Sequence, residues 1–188
     1  MLKADIRKLY QLKRLKLKDN DLQKFSDQIS GRFLQFLPSY VREVHVYLPI
    51  EKKREVNTWP IIRQLWQRGL RTVVPSMEEG SNQLRQSILT PDSVLKNNRY
   101  DVPQPETAQV PDGLAVDLVI VPMLACDKRG FRVGYGKGYY DRFLGSLGEK
   151  PLKVGLSCFE PVDLITDIDH FDIPLHHCVL PDRVVDFV

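Results

Sequence analysis

The stretch VDLVIVP, residues 116–122, decides the fold. Apart from Asp117 it is aliphatic up to its closing proline, and such a run bounded by a turn signal reads as a buried strand. Working outward, EVHVYLP (43–49) alternates and is β-rich, TWPIIRQLWQRG (58–69) reads as a helix, and LRTVVP (70–75) is again a strand. Pro60 falls in the first turn of that helix and Gly69 at its end, the asymmetry that helices prefer. Together they form a strand–helix–strand unit, with EKKREVN (51–57) as the loop after its first strand. LKVGLSC (152–158) predicts a further strand, and residues 138–147 a helix. Strands interleaved with helices predict one α/β domain over residues 1–188, in three layers with a mostly parallel sheet.

The remaining segments are less regular. Leu2, Ile6, Leu9, Leu12 and Leu15 or Leu17 recur at roughly helical spacing and predict a first helix over 2–17. A second helix is expected from Ser26 to Leu37, ended before Pro38. Residues 76–116, rich in proline, read as a peripheral hairpin or long loop, and Asp163–Ile168 as a short helical turn. PLHHCVLP (174–181) and DRVVDFV (182–188) predict an edge strand or hairpin.

Charged residues at 27% and hydrophobic ones at 43% form an ordinary water-soluble globular mix. A net charge of +3 gives no argument for DNA or RNA binding. The first eighteen residues nevertheless gather Lys and Arg against a single Asp. That segment reads as a nucleic-acid or membrane-facing helix, as a solvated helix face, or as a helix lending cations to an anionic ligand. Cys126, Cys158 and Cys178 are scattered with no CxxC pair, which fits reduced thiols in the cytoplasm. No secretory signal and no run of membrane-spanning length is expected.

Beyond the buried strand lies RGFRVGYGKGYYDRFL, residues 129–144. The C-terminal ends of strands are where open α/β sheets bind ligands. Gly134, Gly136 and Gly138 can turn tightly and present backbone N–H groups to an anion, and the following helix adds its positive end. Lys137 and Arg132 supply charge. The spacing is neither GxxxxGK[ST] nor GxGxxG, so a phosphate cradle and a structural turn both stay open. Asp141 likewise reads either as a favourable charge at the helix start or as an oxygen ligand for a divalent ion. His176, His177 and Cys178 resemble a ligand set. On an alternating strand His177 points away from its neighbours, so no metal site is expected there.

The stretch DLVIVPMLACDKRGFRVGYGKGYYDRFL (117–144) resembles the signature of the 5-formyltetrahydrofolate cyclo-ligase family, also called 5,10-methenyltetrahydrofolate synthetases. Lys3 and Arg7, EVNT (55–58), TVVP (72–75), KVGLS (153–157) and DIPL (172–175) extend the likeness over nearly the whole chain. The resemblance implies a fold related to ribose-5-phosphate isomerase and CoA-transferase domains. It also implies ATP- and Mg²⁺-dependent closure of 5-formyltetrahydrofolate to 5,10-methenyltetrahydrofolate. Lys137, Arg132 and Tyr140 are then the expected catalytic residues. Lys3, Arg7, Arg132, Gly134, Tyr135, Gly136, Lys137, Gly138, Tyr139 and Tyr140 would hold ATP, and Asp141 and Asp172 would hold Mg²⁺.

Pro49, Glu55, Tyr135, Lys137, Tyr139 and Tyr140 would bind the folate, with Glu55 on the pterin amino–amide edge. Leu48, Trp59 and Met77 are candidate apolar walls. The Lys52–Lys53–Arg54 run would attract the carboxylates of a polyglutamate tail. Three departures from the family pattern bear on folate fit: Gln104 where Pro-Glu-Pro is usual, Cys126 before the Asp, and Glu160 after the glycine strand. The resemblance implies a monomer with a small-molecule substrate, and neither nucleic acid nor membrane as partner. The competing readings are a non-catalytic folate- or nucleotide-binding regulator, another phosphate-handling enzyme such as a sugar-phosphate isomerase or kinase, and RNA binding through the first helix.

Overall fold

In the computed structural model, residues 1–77, 83–110 and 116–187 are described. Two helices open the chain, α1 (Lys3–Lys16) and α2 (Asp19–Phe36). The expected strand–helix–strand unit follows as β1 (Glu43–His45), α3 (Trp59–Gln67) and β2 (Arg71–Ser76). Pro60 lies in the first turn of α3, and Gly69 takes a φ of 70° just past its end. Next come β3 (Arg85–Ile88) and a hairpin of β4 (Leu95–Asn97) and β5 (Pro103–Pro105). The apolar run of the opening stretch is β6 (Leu118–Val121), followed by a small hairpin of β7 (Ala125–Cys126) and β8 (Arg132–Val133). Helix α4 (Tyr139–Leu147), β9 (Leu152–Leu156), β10 (His177–Val179) and β11 (Val184–Asp186) complete the chain.

Seven strands form the main sheet, in the order β11-β10-β9-β6-β1-β2-β3. The inner strands from β10 to β2 are parallel, and the edges β11 and β3 run antiparallel to their neighbours. From β1 the chain moves outward to β2 and later returns to β6 on the opposite side. The strand order therefore reverses between β1 and β6, and a doubly wound sheet opens its ligand crevice at the carboxyl ends of such a pair.

Alternation along β6 fixes the layers. Leu118 and Ile120 join the apolar cluster of α2 and α3 on one face, while Val119 and Val121 join Phe143 and Leu144 of α4 on the other. The expected three-layer arrangement is what forms. Helix α1 lies outside these layers. It packs Ile6 and Tyr10 onto Leu124, Ala125 and Val133 of the β7–β8 hairpin, next to the crevice.

Four segments differ from the sequence expectation. Helix α2 begins at Asp19, well before the expected Ser26. On α1 the buried residues are Ile6, Tyr10 and Arg14, while Leu9, Leu12 and Leu15 stay exposed at 38%, 49% and 61%. The hairpin beneath offers a narrow apolar strip and polar acceptors, so a four-residue ladder with an arginine wins over the leucine series. Residues 163–168 form no helical turn. Their backbone groups are held by distant partners instead: Ile165 N–H donates to Asp127 at 3.1 Å, its carbonyl accepts from Arg129 at 2.9 Å, and Thr166 N–H donates to the Met1 carbonyl at 3.1 Å. Within 76–116 the β4–β5 hairpin is present, but β3 extends the main sheet as its edge strand. Residues 78–82 and 111–115 of that stretch lie outside the described residues.

Candidate active site

A cavity of about 620 Å³ opens at the carboxyl ends of β1 and β6. Lys3 and Arg7 of α1, Glu55, the whole run from Arg132 to Asp141, and Asp172 all line it. Among the expected residues Pro49 does not reach it; its neighbours Leu48 and Ile50 do, because adjacent side chains on extended backbone face opposite ways. Met77 and Lys53 line the wall, whereas Trp59 belongs to the α3 core.

The glycine loop is shaped by α1. Arg7 donates from Nε to the Gly134 carbonyl at 3.0 Å. Gly136 takes a φ of 86°, and a Cβ there would stand 3.3 Å from the Arg7 guanidinium carbon. A side chain is thus opposed by both backbone conformation and close approach. Gly138, with φ of 66°, caps α4, and among the described residues no side-chain cap bond closes the start of that helix. An uncapped helix start facing a cavity is suited to an anion. Lys137 is exposed at the rim of the cavity.

Behind the loop sits a charged cluster. The Arg132 guanidinium is 2.6 Å from Asp141 and also donates to the Ile173 carbonyl. Burial pushes the Arg132 pKa down, while Asp141 and Asp172 push it back up. Lys3 pairs with Asp172, whose carboxylate also accepts from the Asp169 N–H at 2.7 Å. Arg132 is therefore occupied by a carboxylate and a carbonyl, and Lys137 is the freer cation. Asp141 and Asp172, which spacing alone did not pair, converge on this cluster.

At the other end lies Glu55, only 6% exposed. Its Oε1 accepts from the Tyr135 hydroxyl at 2.5 Å and its Oε2 from the Ile50 N–H at 2.8 Å. Burial and the nearby Glu55 charge raise the Tyr135 pKa, so the phenol keeps its proton. Tyr140 is raised in the same way, by burial first and by Glu55 second. Its hydroxyl lies 3.1 Å from Nε2 of His45, a fully buried histidine whose pKa burial lowers to about 3. Lys53 lies over the Tyr135 ring, 4.1 Å from its centroid. Lys52 instead pairs with Asp101 on the surface, and Arg54 turns back to the end of α1.

Sequence reasoning missed Arg14, His45, Asn98 and Tyr100. Asn98 and Tyr100 line the cavity from the β4–β5 hairpin, and a polar turn in a proline-rich stretch carries no local sign of it. Gln104 is buried behind this wall. Its amide donates to the Met77 carbonyl at 3.2 Å and accepts from the Met77 N–H at 3.0 Å and from Asn98 at 3.2 Å. Cys126 is core, and Glu160 pairs with Arg183 away from the cavity. The His176–His177–Cys178 run does not converge. His177 contacts Asp186 at 2.6 Å, His176 accepts from the Lys153 N–H at 3.1 Å, and Cys178 is buried.

The model of the 5-formyltetrahydrofolate cyclo-ligase family matches residues 2–181, from α1 to the strand before the final hairpin turn. The chain belongs to this family. It is 31% identical over 170 residues to the 5-formyltetrahydrofolate cyclo-ligase of Escherichia coli (strain K12), covering 86% of this chain and 91% of that one. It is 32% identical to that of Saccharomyces cerevisiae (strain ATCC 204508 / S288c), over 75% of this chain and 76% of that one. The NMR structure of Aquifex aeolicus 5,10-methenyltetrahydrofolate synthetase superposes with a TM-score of 0.82 at 28% identity, covering 100% of this chain and 93% of that one. Among the described residues no cluster of three or more His, Cys, Asp or Glu side chains forms a metal site, and no helix is long and apolar enough to cross a membrane.

Proposed function

We propose that the chain closes 5-formyltetrahydrofolate to 5,10-methenyltetrahydrofolate with consumption of ATP, releasing ADP and phosphate. The observation that carries this reading is one cavity with a glycine-rich anion loop at one end and the Glu55 carboxylate at the other. The formyl group on N5 is an amide whose oxygen is a poor leaving group. ATP supplies the phosphoryl group that converts that oxygen into a phosphate ester, after which N10 bonds to the formyl carbon and gives up its proton to solvent, and the carbon–oxygen bond breaks to release phosphate. What the protein contributes is alignment and charge.

The uncapped start of α4 and the N–H groups of the glycine loop suit the phosphate chain, with Lys3 and Arg7 on the adjoining face of α1. Lys137 provides a mobile point charge at the transferring group, and Arg132 keeps Asp141 in place. Asp141 and Asp172, which meet at the Arg132–Lys3 cluster, would hold Mg²⁺, and the ion would supply charge to offset that of the phosphates.

Glu55 accepts the pterin amino–amide edge, Tyr135, Tyr139 and Tyr140 flank the ring system, and Leu48 and Met77 form its apolar wall. Lys53, beside Tyr135, suits the first carboxylates of a polyglutamate tail. The three free thiols fit a reducing cytoplasm, and the reading is of a monomer.

The test is absorbance in the methenyl product's band, with purified protein, 5-formyltetrahydrofolate, Mg²⁺ and ATP. A rise that needs ATP and is lost in Lys137→Ala supports the reading. A folded protein that gives no rise, beside a working cyclo-ligase control, overturns it.

A further inference from the structure

Arg14 is a buried cation beside the cavity that this mechanism leaves without a task. It sits two turns beyond Arg7 on α1, 6% exposed, and its hydrogen bonds go to neutral groups: the Tyr135 hydroxyl at 3.1 Å and the Met123 carbonyl. Burying a guanidinium against neutral partners is costly. Such an arrangement needs a charge nearby that answers it. That charge is Glu55, one hydroxyl away.

The order of donors settles the direction. A guanidinium only donates, a carboxylate only accepts, and a phenol holds one proton. Between Arg14 and Glu55, the Tyr135 hydroxyl must accept from the first and give its proton to the second, which it does at 2.5 Å. Without Arg14 the phenol oxygen loses its donor, and the Tyr135–Glu55 pair loses the cation that anchors it to α1. The residue just before Glu55 closes the frame: Arg54, at a φ of 51°, donates from Nε to the Arg14 carbonyl at 3.1 Å and also bonds the Leu17 carbonyl. The loop that carries Glu55 is thereby tied to the same turn of α1 that carries Arg14.

We propose that Arg14 is a positioning residue for substrate recognition: acting through Tyr135, it fixes the Glu55 carboxylate in the orientation that receives the folate's amino–amide edge. This rests on the reading of Glu55 given under the proposed function. Arg14 touches neither substrate. Its effect falls on the folate end of the cavity, since Arg7, not Arg14, grips the backbone of the phosphate loop.

Steady-state kinetics of Arg14→Met, Arg14→Lys, Tyr135→Phe and the Arg14→Met/Tyr135→Phe double variant test it. In Arg14→Met, the KM for 5-formyltetrahydrofolate rises about tenfold, as expected for a lost hydrogen bond to a charged network. The KM for ATP and kcat stay within about twofold. Arg14→Lys recovers part of the loss, and the double variant is no worse than the poorer single one, because the two residues act in series. Equal rises in both KM values, a fall in kcat alone, or additive losses in the double variant overturn the proposal. If Arg14→Met does not fold by thermal melting, Arg14→Lys with Tyr135→Phe decides the same question. A wild-type protein without turnover of 5-formyltetrahydrofolate overturns the function and this role together. Turnover with an unmoved folate KM in the variants overturns the role of Arg14 alone.

Discussion

Arg132 and Asp141 form an ion pair 2.6 Å long that is closed on one side and open on the other, with side-chain exposures of 5% and 29%. The carboxylate can reach the cavity while its partner cannot leave. Replacing Asp141 by Asn removes the charge that answers a buried guanidinium and also one proposed Mg²⁺ ligand. Stability falls by about 2 kcal/mol in urea melts, allowing for the exposed side of the pair. At the same time the Mg²⁺ concentration for half-maximal ADP release rises several-fold. Loss of stability with an unchanged Mg²⁺ requirement would leave Asp141 as a purely structural partner.

The Gly136→Ala variant tests the loop. Alanine at a φ of 86° is strained, and its Cβ would meet the Arg7 guanidinium, so the loop or Arg7 must shift. Strain of this kind amounts to about 1–3 kcal/mol. The expected result is a KM for ATP raised at least about tenfold, with the far-UV spectrum retained. A folate KM that moves as much as the ATP KM would place the loop elsewhere than at the phosphates.

The parts of the cavity differ in how far the sequence revealed them. The glycine loop was legible because its chemistry is local: alternating glycines, a lysine and a helix start lie within a few residues. The central strand was legible because VDLVIVP is aliphatic beyond Asp117. Arg14 and His45 were not, since their partners lie 121 and 95 residues away along the chain. An arginine among lysines on a basic helix looks like surface until Tyr135 is placed against it. The leucines of α1 misled for the converse reason: spacing defines a face, but only the neighbouring hairpin determines which face is covered. Asp163–Ile168 failed likewise, its backbone bonds being claimed by Asp127 and Arg129.

The structure gives Gln104 a role that needs both a donor and an acceptor. Its amide pairs with both backbone groups of Met77. A carboxylate in Gln104→Glu still accepts from the N–H but faces the Met77 carbonyl with no proton to give. A melting-temperature loss corresponding to about 1–3 kcal/mol is expected. A raised folate KM should accompany it, since Met77 and Asn98 line the cavity. If Gln104→Glu melts and binds folate like the wild type, Gln104 does not hold this wall.

His45 sets a pH dependence whose sign follows from its burial. In the folded protein its pKa lies near 3, against an ordinary value of 6.5, because desolvation disfavours the imidazolium. Between those values the unfolded chain binds the proton and the native state does not. Stability is therefore fully retained above about pH 6.5 and declines as pH falls towards 3, by up to about 1.4 kcal/mol per unit. Urea unfolding at pH 7.5 and pH 5 should show that decline, and His45→Leu should show a shallower one. The same substitution removes the partner of the Tyr140 hydroxyl at 3.1 Å, so turnover at pH 7.5 should fall even where the variant is folded. Parallel pH–stability curves for the two proteins would mean that His45 does not titrate across this window on unfolding.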